Sequence, residues 1–358
     1  MKKIIVVGGG VAGLSAAVRL QQAGYAVTLY EKESQPGGKM NQIKQAGFTF
    51  DVGPTIVMMP EIYREIFELC GVDPDDYIPM EKVDPMLQLY FADEAPLTFS
   101  NDLIELTKTL EGISEEDAQG YFAFLADIYK RYVIAKEAFI TKSFRGFWDF
   151  YNPQSLWAGM KLKTFNDAYT SISKFVKDDR LRKSLAFQTL YIGVSPYQGP
   201  SLYTIIPMIE LFYGVYFIKG GMYTLATSLA RLFEELGGVI HYDSPIEELI
   251  IENKRATGIR LNGQIHSADA IVCAADFPYA MQELIPNEKN RGKYTNKKIS
   301  RMAYSCSCFL LYLGLDKKYE ANGLHSIYFA EDFKKNVDDL FEFGVLPEDP
   351  SFYLYRPT

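Results

Sequence analysis

Cysteine and histidine are both scarce in this chain. Four cysteines (Cys70, Cys273, Cys306 and Cys308) and three histidines are spread through 358 residues, and no zinc-ligand spacing is visible among them. Cys306 and Cys308 stand two apart in a segment that reads as a strand, so they point to one face and are expected in the core. Thiols this few and this scattered fit a reducing, cytoplasmic setting. Basic charge is also in deficit. The 37 Lys and Arg stand against 45 Asp and Glu, a net charge of −8 that disfavours nucleic acid as the partner. Long apolar runs are missing as well. The most apolar stretch, Ile205 to Ile218, is broken by Pro207 and Glu210 and is too short to span a bilayer. The apolar run after the two N-terminal lysines is four residues long before glycines break it, which excludes a signal peptide. No Ser/His/Asp or Cys/His arrangement suggests covalent catalysis.

What is present starts at once. Ile4-Ile5-Val6-Val7 reads as a buried strand of a parallel sheet and runs into Gly8-x-Gly10-x-x-Gly13, followed by an Ala/Leu-rich helical stretch as far as Gly24. Gly8 permits the tight turn, Gly10 the approach of a pyrophosphate, and Gly13 the close packing of helix on strand. The free N–H groups of that helix start, with its positive dipole end, suit an anion. A second strand, Ala26 to Tyr30, ends at Glu31, where a carboxylate is placed to hydrogen-bond a ribose hydroxyl. An acid at this position argues against a 2′-phosphate, so the ligand is FAD or NAD rather than NADP. A 48% hydrophobic chain of this length buries a large core and suggests two or three domains.

Two further clusters follow: Gln35-Pro36-Gly37-Gly38-Lys39-Met40 and Phe48-Thr49-Phe50-Asp51-Val52-Gly53-Pro54-Thr55. Each is either an ordinary turn or a place where backbone passes close to a bulky ligand, and Lys39 can neutralise a phosphate. Together, GGGVAGL, Glu31, PGGKM and FDVGPT resemble the FAD-dependent carotenoid desaturases of the amine-oxidase-like flavoproteins. The likeness tightens at FQTLYIG, GPSLY-x-IIPMIE and FIKGGMY (187–193, 199–210 and 217–223), which are similar to the bacterial 4,4′-diapophytoene desaturases acting on thirty-carbon substrates.

The resemblance implies an α/β fold: a Rossmann-like FAD-binding domain of the amine-oxidase/glutathione-reductase type, over residues 1–84 and 215–290. An interleaved substrate and membrane-associating domain, mixed sheet plus helices, takes residues 85–214 and 291–358. Carried over residue by residue, the cofactor falls to Gly8, Gly10, Val11, Ala12 and Gly13 at the pyrophosphate and to Glu31 and Lys32 at the ribose. Gly38, Lys39 and Met40 lie along the ribityl–pyrophosphate region, and Gly53, Pro54 and Thr55 against the isoalloxazine ring. Ile246 contacts the adenine through its backbone, and Ala275 passes near the pyrophosphate. The family usually has arginine where this chain has Lys39, which keeps the charge but loses the bidentate fork.

Residues 121–190 hold twelve Lys and Arg against six Asp and Glu, with both tryptophans, Trp148 and Trp157, beside Phe144, Phe147, Phe150 and Tyr151. That composition suits an interfacial surface meeting anionic headgroups, and equally an aromatic core with a solvated basic face. The resemblance tips it toward the membrane, because an apolar carotenoid precursor is held there. It implies a peripheral protein on the cytoplasmic face. Leu185–Gly193 and Gly199–Met208 suit a hydrocarbon tunnel or any buried helix. Pro85–Ala92 and Pro96–Phe99 read as a hairpin, Ser114 as a helix cap, Asn262-Gly263 as a hairpin turn, and Arg301–Leu315 as a long strand of the second domain's sheet. His241 and His266 read as structural.

The chemistry implied is loss of a hydride from an allylic carbon to the flavin and of the neighbouring proton, adding one double bond. No protein base is singled out. With no second GxGxxG, oxygen or a quinone is the expected acceptor for reoxidation. Family members run on by well over a hundred residues past Thr358 and carry a glycine-rich segment over the flavin, so weak FAD retention is expected. Other readings are a phytoene desaturase, a carotenoid end-group oxidase, an amine oxidase, or a non-catalytic lipid-binding protein on the same scaffold. The charge-poor apolar stretches argue against an amine substrate, and the intact glycines with Glu31 argue against a scaffold without flavin.

Overall fold

The computed structural model describes residues 1–140, 142–144, 146–162, 166–319 and 323–357. The chain forms two compact units, one of Met1–Glu81 with Tyr216–Tyr304 and one of Lys82–Val215 with Ser305–Thr358. In chain order the elements that matter below begin with β1 (Lys3–Val7), α1 (Val11–Gln22), β2 (Ala26–Tyr30), β3 (Asn41–Gln45) and β4 (Phe48–Val52). Then come β5 (Leu87–Tyr90), β6 (Leu97–Phe99), α2 (Glu115–Ala135), α3 (Asp179–Ala186) and α4 (Ile205–Tyr213). The chain continues through α5 (Tyr223–Glu235), β7 (Val239–His241), β8 (Glu248–Glu252), β9 (Arg255–Leu261), β10 (Gln264–Ser267) and β11 (Ala270–Cys273). It ends with β12 (His325–Tyr328) and β13 (Phe352–Tyr355).

The first unit is α/β, built on a parallel sheet in the order β7-β2-β1-β11. Successive side chains of a strand point to opposite faces, and β1 uses both. Ile4 and Val6 pack with Leu14, Ala17 and Val18 of α1 and with Leu225, Leu229 and Phe233 of α5. Ile5 and Val7 pack on the other side with Leu249 and Ile259 of the β8-β9-β10 antiparallel sheet. A strand covered on both faces is apolar throughout, which is why its sequence shows no alternation. Asn262 and Gly263 take positive φ (49° and 73°), the conformation that a two-residue turn between β9 and β10 requires. His241 stacks on Tyr30 at 4.9 Å between ring centroids, and His266 lies on β10, so both serve structure.

The second unit carries a mixed sheet, β13-β12-β5-β6, in which only β12 and β5 run parallel. The β5–β6 hairpin is the one expected from Pro85 to Phe99. Stacked rings of Tyr90, Tyr328 and Phe352 tie three of its strands together. Ser114 Oγ accepts from the Asp117 N–H and starts the 21-residue α2. His325 is buried in β12, where desolvation lowers its pKa to about 4, so it is neutral at pH 7.

Two expectations fail here. Arg301–Leu315 is not a strand: the segment has no ladder partner and is exposed, with Phe309 and Leu311 among its most exposed side chains. An apolar alternating run becomes a strand only where a neighbour takes its N–H and C=O groups, and in this sheet β12 holds the place beside β5. Cys306 and Cys308 are exposed with that segment rather than in the core.

Candidate functional site

The turn joining β1 to α1 is shaped by three glycines for three different reasons. Gly8 has φ +100°, a conformation that side chains rarely adopt. A Cβ on Gly13 would stand 1.9 Å from the Gly8 carbonyl oxygen and 3.2 Å from Ala274 Cβ, so helix and strand meet only because it is absent. Gly10 is the N-cap of α1, with no side chain capping the helix and no acid in its first turn. The N–H groups of Val11, Ala12 and Gly13 therefore have no intrahelical acceptor, and the positive end of the helix is not neutralised. That arrangement fits a pyrophosphate.

Gly37 and Gly38 face this turn. The Gly37 N–H donates to Gly9 O at 2.8 Å, and Gly10 and Gly37 form a parallel bridge. Among the described residues beyond its chain neighbours and its own helix, the atoms within 4 Å of where a Gly10 Cβ would sit are Gly37 O and Gly38 Cα. Backbone therefore faces backbone where Gly10 approaches Gly37 and Gly38. The Met40 N–H donates to Gly37 O at 3.0 Å, while Gly53 (φ +111°) would bring a Cβ to 2.2 Å from Lys39 O. The Gly-Gly segment and the Gly53-Pro54-Thr55 segment are therefore packed backbone on backbone.

Glu31 is buried at 5% exposure and turned toward the glycine turn. Its Oε2 accepts from the Gly9 N–H at 2.5 Å and its Oε1 from the Glu33 N–H at 2.9 Å. Each carboxylate oxygen has a second acceptor site, so this brace of the turn can still receive a sugar hydroxyl. The Ser244 N–H donates to Glu31 O at 2.8 Å, bringing the 244–246 segment alongside, with Ile246 itself buried in the core. Ala275 follows β11, and its N lies 3.5 Å from where a Gly8 Cβ would be.

The two lysines behave differently. Lys32 is exposed and pairs with Glu33 at 3.5 Å. Lys39 is 93% exposed and reaches Asp276 at 3.3 Å. An exposed pair of this kind contributes about 1 kcal/mol at most, so a phosphate can draw the ammonium away at little cost.

Three contributors escaped sequence reasoning. A Cβ on Gly9 would come within 3.0 Å of Glu31 Oε2, so the middle glycine of the GGG run is what lets the carboxylate reach the backbone. Asp51, on β4, accepts from the Met222 N–H at the start of α5 (2.5 Å) and from Gln42 Nε2 (3.1 Å). Gly221 (φ +92°) makes room for it, since a Cβ there would lie 2.0 Å from Asp51 Oδ2. The only hint was an acid two residues before Gly53 and a Gly-Gly pair before a helix.

In the second unit the aromatics of the basic stretch divide: Tyr121, Phe124, Tyr132 and Phe187 are buried, whereas Phe147 is 64%, Trp148 78% and Trp157 56% exposed. Lys161 Nζ lies 3.3 Å from the Trp157 ring centroid, a cation held over an aromatic face. Leu185, Ala186, Phe187, Thr189, Ser201, Thr204 and Met208, offered above as tunnel wall or buried helix, are packed in that unit's core. No helix among the described residues is long and apolar enough to cross a membrane.

A family model described as flavin containing amine oxidoreductase matches residues 11–323. The 4,4′-diapophytoene desaturase (4,4′-diaponeurosporene-forming) of Staphylococcus haemolyticus is 46% identical over 358 residues, 99% of this chain and 71% of that protein. Among solved structures, an oxidoreductase from Methanosarcina mazei superposes with a TM-score of 0.55 at 18% identity, over 79% of this chain and 61% of that one. A putrescine oxidase variant gives 0.53 at 14% identity, over 79% and 59%. Those two likenesses are of fold. From the glycine cradle and these matches together, the chain belongs to the flavin-containing amine oxidoreductases, grouped with the 4,4′-diapophytoene desaturases, and FAD is its cofactor.

Proposed function

We propose that this protein is a desaturase that converts 4,4′-diapophytoene to 4,4′-diaponeurosporene. The observation that carries the reading is the backbone-to-backbone approach of Gly10 to Gly37 and Gly38 in front of an uncapped helix, in a chain 46% identical to such desaturases. Bound FAD supplies the two-electron acceptor that no side chain can provide. The protein's part is to hold and orient. The N–H groups of Val11, Ala12 and Gly13 take the pyrophosphate, with Gly8, Gly10 and Ala275 keeping the approach clear. Glu31 takes the ribose, with Lys32 at its side. Gly38, Lys39 and Met40 follow the ribityl–pyrophosphate chain, Gly53, Pro54 and Thr55 abut the ring, and the Ile246 backbone meets the adenine. A substrate with no polar group is bound by burial of apolar surface, at about 25 cal/mol per Å². Each loss of a hydride and of the neighbouring proton leaves one new double bond, and the conversion takes repeated rounds of this step. Oxygen or a quinone takes up the electrons in turn.

Co-expression of a full-length version with a diapophytoene synthase is expected to turn colourless cells yellow to orange, with diaponeurosporene identified by chromatography. Colourless cells holding only diapophytoene would overturn the reading.

The substrate dissolves in lipid, and the exposed Phe147, Trp148 and Trp157 beside Lys161 match an anionic interface. The protein accordingly works as a peripheral enzyme on the cytoplasmic face of the membrane. Replacing Trp148 and Trp157 by glutamate is expected to weaken sedimentation with phosphatidylglycerol vesicles by about tenfold for each side chain, the effect of ~1.5 kcal/mol of apolar burial. Binding unchanged in the double variant rejects this face.

A further inference from the structure

Glu210 has no part in the flavin site, yet it is a carboxyl sealed inside the second unit at 2% exposure, in the second turn of α4. Gln188, itself 4% exposed, donates from Nε2 to Glu210 Oε2 at 2.5 Å. The two remaining oxygens, Glu210 Oε1 and Gln188 Oε1, are buried without a donor among the described residues. Both residues line a cavity of about 10 Å³ walled by Met86, Leu87, Phe99 and Leu185, with Tyr121 and Ser184 as its other polar groups.

Two acceptor oxygens in one small cavity cannot satisfy each other. An ionised carboxylate there would be a bare charge against an apolar wall with a single neutral donor, which is a costly arrangement. One proton removes the conflict, because it turns an acceptor into a donor. The cavity has the size of one water molecule, and such a water needs two to four polar partners. It can accept from a Glu210 O–H, donate to Gln188 Oε1, and meet Tyr121 or Ser184 with its remaining hydrogen.

We propose that Glu210 is held as a neutral carboxylic acid and, with Gln188, binds one internal water in this cavity, an uncharged polar pin joining α4 to the 187–192 segment. The proposal does not depend on the reaction assigned above.

The surroundings agree. Burial raises the Glu210 pKa from 4.5 to about 8, opposed only by the Gln188 hydrogen bond. The titratable groups facing it are the buried Tyr121 of α2 and the partly exposed Tyr191, both phenols raised above their ordinary range and neutral at pH 7. Arg131, the buried cation of α2, is turned to Asp127 and Ser201 instead. A raised pKa in the folded state means that the proton's stabilisation is complete below about pH 4.5 and is lost as pH rises through about 8.

Glu210→Gln imitates the neutral acid, with a carbonyl to accept from Gln188 and an N–H to donate into the cavity. Relative to this variant, the wild-type melting temperature is expected to fall by about 5 °C or more between pH 5 and 8.5, a comparison in which other titrations cancel. Glu210→Ala is expected to be less stable than both throughout. The infrared C=O band of a buried protonated carboxyl is expected in the wild type at pH 7 and to vanish above pH 9, a readout that stands even if a variant fails to fold. A high-resolution crystal structure is expected to show one water bonded to both Oε1 atoms. Absence of the band, an empty cavity, or a glutamine variant as unstable as the alanine one at pH 8.5 would each overturn the proposal.

Discussion

Alanine at position 13 is expected to cost the protein its flavin and much of its stability. The added Cβ, whose position the backbone fixes, would lie 1.9 Å from the Gly8 carbonyl oxygen, itself backbone. No rotamer relieves that contact. Either α1 lifts from β1, disturbing the packing of Leu14, Ala17 and Val18, or the Gly8 turn opens. Overpacking of this kind costs about 3 kcal/mol or more, and the N–H groups of the helix start no longer converge on the pyrophosphate. The control is Gly24→Ala, a position with φ +86° but nothing within 4 Å of the new Cβ. It bears only the conformational cost, about 1 kcal/mol. Melting temperature and the flavin-to-protein absorbance ratio measure both. Gly13 lies within α1 and has no left-handed φ, so a loss there no greater than at Gly24 would mean that helix–strand contact does not govern this turn.

The second large effect is expected at Glu31. Alanine there removes the acceptor of two backbone N–H groups, those of Gly9 and Glu33, inside a site that is 5% exposed. Each stranded donor costs about 1–3 kcal/mol. The sugar contact goes as well, so FAD affinity is expected to fall by about 100-fold or more, the equivalent of ~2.7 kcal/mol. Glu31→Gln keeps one acceptor oxygen but directs an NH₂ at a backbone N–H, and is expected to fall between the two. Fluorescence titration of the apoprotein with FAD distinguishes them. Wild-type affinity in Glu31→Ala would show that the carboxylate only props the turn.

What could be read from the chain in advance was whatever local backbone dictates. The β1–α1–β2 unit, its glycines and Glu31 all lie within one βαβ stretch, where each residue type is demanded by geometry a few positions away. The Asn262-Gly263 turn and the Ser114 cap were legible for the same reason. Asp51 was not, because its partner at the start of α5 is 171 positions away and no periodicity links them. Glu210 showed only as a charge interrupting an apolar run. Its meaning depends on Gln188, which packing of α4 against the 187–192 segment brings near. Arg301–Leu315 misled because alternation reports a capacity to pair, whereas pairing needs a neighbour with free backbone groups.

The first strand has a partner far along the chain. Lys3 bonds through its N–H to Asp269, 266 positions further on, and Ile4 sits beside Ala270 in the finished sheet. Until that segment emerges, the nascent β1 has one raw edge and Gly8 lacks the Ala274 backbone it rests on. Closing so long a loop is slow, and an unpaired apolar edge invites association with other chains. The cradle is therefore complete only after the segment through Ala274 has been made, and the opening glycine motif waits for those 266 positions before it can capture its cofactor.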